Sequence, residues 1–161
     1  MYRKGATGAL LDVYENALAG LSRVVATIPG ALLTRIIDPH TTDADCRSFQ
    51  HILSHVVHSG YGYATAIHNL AGPERLRPAK TFHETTAAYI ADLAGVLAFT
   101  ESVLANFTDA DLEQQDNALK IKTSWGQVYD VEQLMEHAIV HVLRHRRQVE
   151  KWLQSLAPAQ E

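Results

Sequence analysis

The sequence predicts an all-α protein, a four-helix bundle. Four long stretches repeat apolar residues at intervals of three and four, turn and capping residues punctuate their ends, and no strand pattern of comparable length competes. The chain has 161 residues and 47% hydrophobic content, so one continuous core in a single domain, 1–161, is expected.

Leu11, Tyr14, Leu18, Leu21, Val25 and Ile28 mark a first helix over about 8–28, ended by Pro29-Gly30. Ser48 is a candidate N-cap for the second, which carries Phe49, Ile52, Val56, Ser59, Tyr63, Ala66 and Leu70 and stops at Gly72-Pro73. Thr81-Phe-His-Glu84 has the form of a capping box ahead of the third, defined by Tyr89, Leu93, Val96, Thr100, Val103 and Phe107. Asp130-Val-Glu-Gln133 caps the fourth, which runs to about Leu156 before a short polar tail. Four such helices suggest an antiparallel bundle. The segment from Ala71 to Thr81 could nevertheless reach roughly 35 Å, enough for a crossover along a helix, so the residues leave the winding order open. Between helices three and four, Leu119, Ile121 and Thr123 alternate with Lys120 and Lys122 before Trp125-Gly126, which predicts a small hairpin or ordered loop.

A formal charge of −4 puts no general positive field on the surface, so nucleic acid is not an expected partner. Arg144, Arg146, Arg147 and Lys151 form only a local basic patch. The single cysteine, Cys46, rules out an intramolecular disulfide, as expected for a reducing compartment. With no signal-peptide pattern and no run of about eighteen apolar residues, the expectation is a cytoplasmic protein without a membrane partner.

Of the nine histidines, six cluster: His51, His55 and His58 on helix two, and His137, His141 and His145 on helix four. The seam Val131, Leu134, Ala138, His141, His145, Gln148 and Trp152 places three polar residues in consecutive core slots, a costly arrangement unless something coordinates it. Residues four apart on a helix lie about 6 Å apart at the side chain, so His141 and His145 can turn both imidazoles toward one ion. His55 is the favoured third ligand, because Ser48, Ile52, Ser59, Gly62 and Ala66 surround it with mostly small residues that permit close approach and leave room for a pocket. Three neutral imidazoles suit a divalent ion, zinc or nickel, with an open position for water or a substrate atom. No side chain is assigned as nucleophile; water or a thiol at the ion is expected to serve. Gln148, His137 and His51 are candidates for a supporting role: Gln148 to orient a ligand, the two histidines as a fourth ligand or proton relay. His58 reads as exposed.

Two short elements resemble the DinB/YfiT-like superfamily. One is Ser48-Phe-Gln-His-Ile-Leu-Ser-His55-Val-Val, a serine helix start followed seven residues later by a histidine; the other is His-x-x-x-His-Arg-x-Gln from His141 to Gln148. The resemblance implies a left-handed bundle of up-down-down-up topology, a divalent metal on His55, His141 and His145, and a homodimer. It also implies an activity, since characterised relatives include transferases and isomerases that use low-molecular-weight thiols such as bacillithiol or mycothiol. Arg147 departs from the pattern, standing where relatives often carry glycine, and brings a long cation to the site or its rim.

The leading functional expectation is therefore a metal-dependent enzyme acting on a small molecule, specifically a thiol S-transferase. A metal-dependent hydrolase, or a non-catalytic metal- or ligand-binding stress-response module, are the alternatives. A carboxylate-bridged di-iron site lacks its paired Glu-x-x-His motifs, and a c-type haem lacks Cys-x-x-Cys-His.

Overall fold

The computed structural model describes residues 2–157 and is mostly helical. Four long helices, α1 (Gly5–Val25), α3 (Phe49–Ala71), α4 (Thr86–Leu104) and α5 (Val131–Leu156), are joined by a four-residue helix α2 (Gly30–Leu33), two 3-10 turns (Ala44–Cys46 and Asp109–Asp111) and a two-stranded hairpin. The polar tail expected after Leu156 lies, from 158 on, outside the described residues.

The element ends follow local chemistry. Ser48 caps α3, its hydroxyl accepting from the His51 N–H, and Asp130 and Gln133 form a reciprocal capping box on α5. The hairpin pairs β1 (Ile121–Lys122) antiparallel with β2 (Val128–Tyr129), turning at Gly126, whose φ of +88° suits a residue without a side chain. Three boundaries differ from expectation. The first helix ends at Val25, and Ile28 is buried in the turn before Pro29. The third ends at Leu104, short of Phe107. Its N-cap is Thr85, not Thr81, because the 81–84 stretch is drawn onto α3: Gln50 donates to the His83 carbonyl, and the His83 N–H donates to the Tyr89 hydroxyl.

Contact order along the helices fixes the topology. Ser54 bonds Tyr89, Gly60 faces Val96 and Tyr61 faces Phe99, so α3 and α4 run parallel. Phe49 packs on Trp152, His55 on His141 and Tyr63 on His137, so α3 and α5 run antiparallel. Arg3 at the start of α1 reaches Glu101 near the end of α4, whereas Gly20 meets Arg146 on a parallel α5. The bundle is thus up-down-down-up, the winding that the family resemblance implied and that the helix pattern alone left open.

A parallel α3–α4 pair obliges residues 72–85 to return along α3. Arg75 bonds Asn69, Arg77 lies on Gly62, the Pro78 carbonyl meets His58, and the His83 carbonyl meets Gln50. Tyr14, Leu21, Phe49, Ile52, Leu53, Tyr89, Leu93 and Leu134 fill the core at under 2% exposure, each contributing about 1.5–3 kcal/mol of apolar burial. By length and composition α4 could cross a membrane, but it carries Asp92 and Glu101 and packs against α1 and α3 as a bundle helix.

Candidate metal centre

The site lies in the seam between α3 and α5. His55 stands two turns after the Ser48 cap; His141 and His145 stand one turn apart on α5. The Phe49–Trp152 contact at one end and Tyr63–His137 at the other hold the two helices in the register that sets these rings together. Ring centroids are 4.9 Å apart for His55 and His141, 5.1 Å for His55 and His145, and 4.5 Å for His141 and His145. One ligand-capable nitrogen from each lies within 4.8 Å of the other two.

Hydrogen bonds set the protonation of two rings. Asp45 Oδ2 accepts from His55 Nδ1 at 3.0 Å, and Gln148 Oε1 accepts from His145 Nδ1 at 3.1 Å, so both rings turn Nε2 inward. His141 Nε2 lies 2.9 Å from His55 Nε2, while its Nδ1 is buried with no partner among the described residues. Burial, with His145 and His55 alongside, pushes His141 down from its ordinary 6.5 to about 3. Burial and His55 also lower His145. His141 and His145 are therefore neutral imidazoles at physiological pH, the form in which histidine ligates a metal.

This donor set fits a divalent ion. A tetrahedral ion with bonds of 2.0–2.1 Å places its ligand nitrogens about 3.3 Å apart, a spacing these three reach with small ring movements. Among the described residues the group contains no fourth His, Cys, Asp or Glu, which leaves a coordination position open.

The flanking residues divide. Gln148 orients His145, as above. His137 stacks on Trp125 and borders Tyr63 and Tyr129, in the cavity wall beside His141. The His51 ring turns away, bonded to Ser48 and packed on Phe82. His58 is half-buried rather than exposed, because the returning 72–85 segment covers it and its Nδ1 donates to the Pro78 carbonyl.

Asp45 is the participant that spacing could not reveal. It sits in a 3-10 turn outside any periodic segment, and it also accepts from Lys80 at 2.6 Å. Partial burial pushes its carboxyl up, but Lys80 and His55 outweigh that, and it stays below its ordinary 3.8. Its one sequence signal is an acidic turn, Asp43-Ala-Asp45, just ahead of the Ser48 helix start. Cys46 lies on the same turn, its thiol 3.3 Å from Asp43 and 3.8 Å from Gln148 Oε1. Burial pushes that thiol up from an ordinary 9.0, so it is protonated at neutral pH.

A protein-family model, that of the DinB family, matches residues 1–157, and the match takes in every residue of the histidine site. The chain belongs to the DinB family. No curated protein matches it.

Two cavities open onto the DinB-family histidine cluster, and His55, His137 and His141 line both. One, of about 650 Å³, is walled by α3, the returning 72–85 segment, the hairpin and α5. The other, of about 580 Å³, is walled by Asp43, Cys46, Arg144, Arg147, Gln148 and Trp152. Arg147, the departure noted in the sequence, thus stands on the rim of the second cavity.

Proposed function

We propose that this DinB-family chain is a metal-dependent enzyme in which His55, His141 and His145 hold one zinc or nickel ion and a low-molecular-weight thiol is transferred to a small electrophile. The observation that carries this reading is the three-histidine cluster with cavities on two sides, room for two reactants at one centre. The ion, when bound, lowers the pKa of a thiol so that a thiolate exists at neutral pH. Asp45 and Gln148 keep His55 and His145 in the tautomer that presents Nε2. Cys46 does not gather with the three histidines, so the thiol is expected from outside the chain. Forming the new C–S bond breaks the bond from the same carbon to its leaving group, which departs with the electron pair.

The protein is further proposed to be cytoplasmic, and to pair as a homodimer through the outer face of α4, where Ala87, Ala91, Ala94 and Ala98 are exposed small residues that allow close helix approach. The test of function is consumption of an alkyl halide or epoxide by zinc-loaded protein with a thiol panel that includes bacillithiol and mycothiol. Turnover that needs both zinc and thiol supports the transferase. Turnover of esters or amides without thiol replaces it with a hydrolase, and turnover of neither leaves a binding module.

A further inference from the structure

The larger cavity has a charge of its own. Three cations line it, Arg77, Lys80 and Lys122, against a single carboxylate, Asp45. Lys80 and Asp45 are already paired, and Asp45 also holds His55. Among the described residues no carboxylate lies within ion-pair reach of Arg77 or Lys122; the neighbouring Lys120 does pair, with Asp130. His58 adds no charge, since burial together with Arg77 and Lys80 holds it below its ordinary 6.5. A net-positive cavity therefore sits in a chain whose formal charge is −4.

Placement gives this charge a direction. Gly62 admits the Arg77 side chain against α3: a Cβ there would come within 2.9 Å of Arg77 Cδ and Nη1. Gly62 lies seven residues beyond His55, about 10 Å along the helix. Thr65, one turn further, lines the same cavity at 5% exposure, and its hydroxyl has no hydrogen-bond partner among the described residues. The hairpin contributes Lys122 and Trp125 to the lining of the same cavity. Arg77, against Gly62, thus stands about two turns of α3 from His55 in a cavity that Lys122 also lines.

We propose that this cavity binds a small carboxylate-bearing molecule, its anionic group held by Arg77 and Lys122 and its reacting end at the histidine cluster. The assignment rests on the reading of that cluster as a metal centre and adds the charge class of one reactant. Guanidinium and ammonium donors bond carboxylates with charge assistance, and a half-enclosed cavity weakens the competing solvation.

Zinc uptake by the full chain is measured first. Then 6-mercaptohexanoate and 6-mercaptohexanol, equal in length and different in charge, are titrated calorimetrically into the zinc-loaded protein. The acid is expected to bind about ten-fold more tightly. Arg77→Gln combined with Lys122→Gln should erase that preference while zinc stoichiometry and alcohol affinity stay unchanged. Equal affinities in the unmodified protein, or a preference that survives the double substitution, overturn the proposal. If no zinc is taken up, the metal reading fails separately. Hexanoate against hexanol, followed through Trp125 fluorescence in a Trp152→Phe chain, then reads the cations alone: acid preference supports the anion subsite, and none overturns it.

Discussion

Helix α3 has two polar seams, and they are built to opposite ends. Toward α4, Ser54 and the Tyr89 hydroxyl bond at 2.7 Å, and that hydroxyl also reaches the Gln50 carbonyl and the His83 N–H. Gly60 lets Val96 close against the backbone, and Gly95 does the same for Tyr61. Toward α5, among the described residues, His141 Nδ1 is left without a partner and Thr65 lacks one for its hydroxyl, and cavities stand where side chains would otherwise meet. A buried polar group left unpaired costs about 1–3 kcal/mol, so the α5 seam carries a cost that the α4 seam avoids. Polar residues that saturate one another hold helices together; polar residues left wanting are available to a ligand.

The most severe way to break this contrast is to remove a ligand. His141→Ala or His145→Ala should abolish stoichiometric metal uptake, read by elemental analysis, with circular dichroism showing most helix retained because the apolar seams remain. Full affinity in both variants would sink the ligand assignment. Asp45→Asn comes next: it keeps the shape but weakens the acceptor on His55 Nδ1, and metal affinity should fall about 10–100-fold, measured by competition with a chromogenic chelator. Unchanged affinity would make Asp45 a partner of Lys80 alone.

On the other seam, Tyr89→Phe removes the hydroxyl shared by Ser54, Gln50 and His83. Urea unfolding should show a loss of about 1–3 kcal/mol, with metal uptake untouched. The α5 side should also show a pH dependence of its own. His141 sits near 3 when folded and near 6.5 when unfolded, so between these values the unfolded chain binds a proton that the folded chain does not. Metal-free protein should therefore be most stable above about pH 6.5 and lose stability as the pH falls toward 3, and His141→Ala should flatten that slope. An unchanged slope in the variant would assign the acid sensitivity elsewhere.

The sequence made one seam far more readable than the other. His141 and His145 declare themselves because helical periodicity translates a four-residue spacing directly into adjacency, and Ser48 announces where His55 falls in its helix. Asp45 follows no such rule: it reaches His55 from an irregular turn whose path depends on tertiary packing. The Thr81–Glu84 pattern misled for a related reason, since a capping box is a local preference and the bonds from Gln50 and to Tyr89 override it. Relative helix direction was also hidden from the residues themselves, because an amphipathic stripe is the same whether its neighbour runs up or down. Only the length of the segment after Ala71 hinted at the crossover.

That crossover has an evolutionary consequence. Having made α3 and α4 parallel, the chain must walk back over the larger cavity before it can continue, and the side chains it carries there, Arg77 and Lys80 among them, are largely exempt from the demands of core packing. Substitutions in this return path can remodel the cavity wall without endangering the frame around it. A bundle wound this way keeps its histidine cluster on the rigid helices and part of its cavity wall on a strip that drift can rewrite.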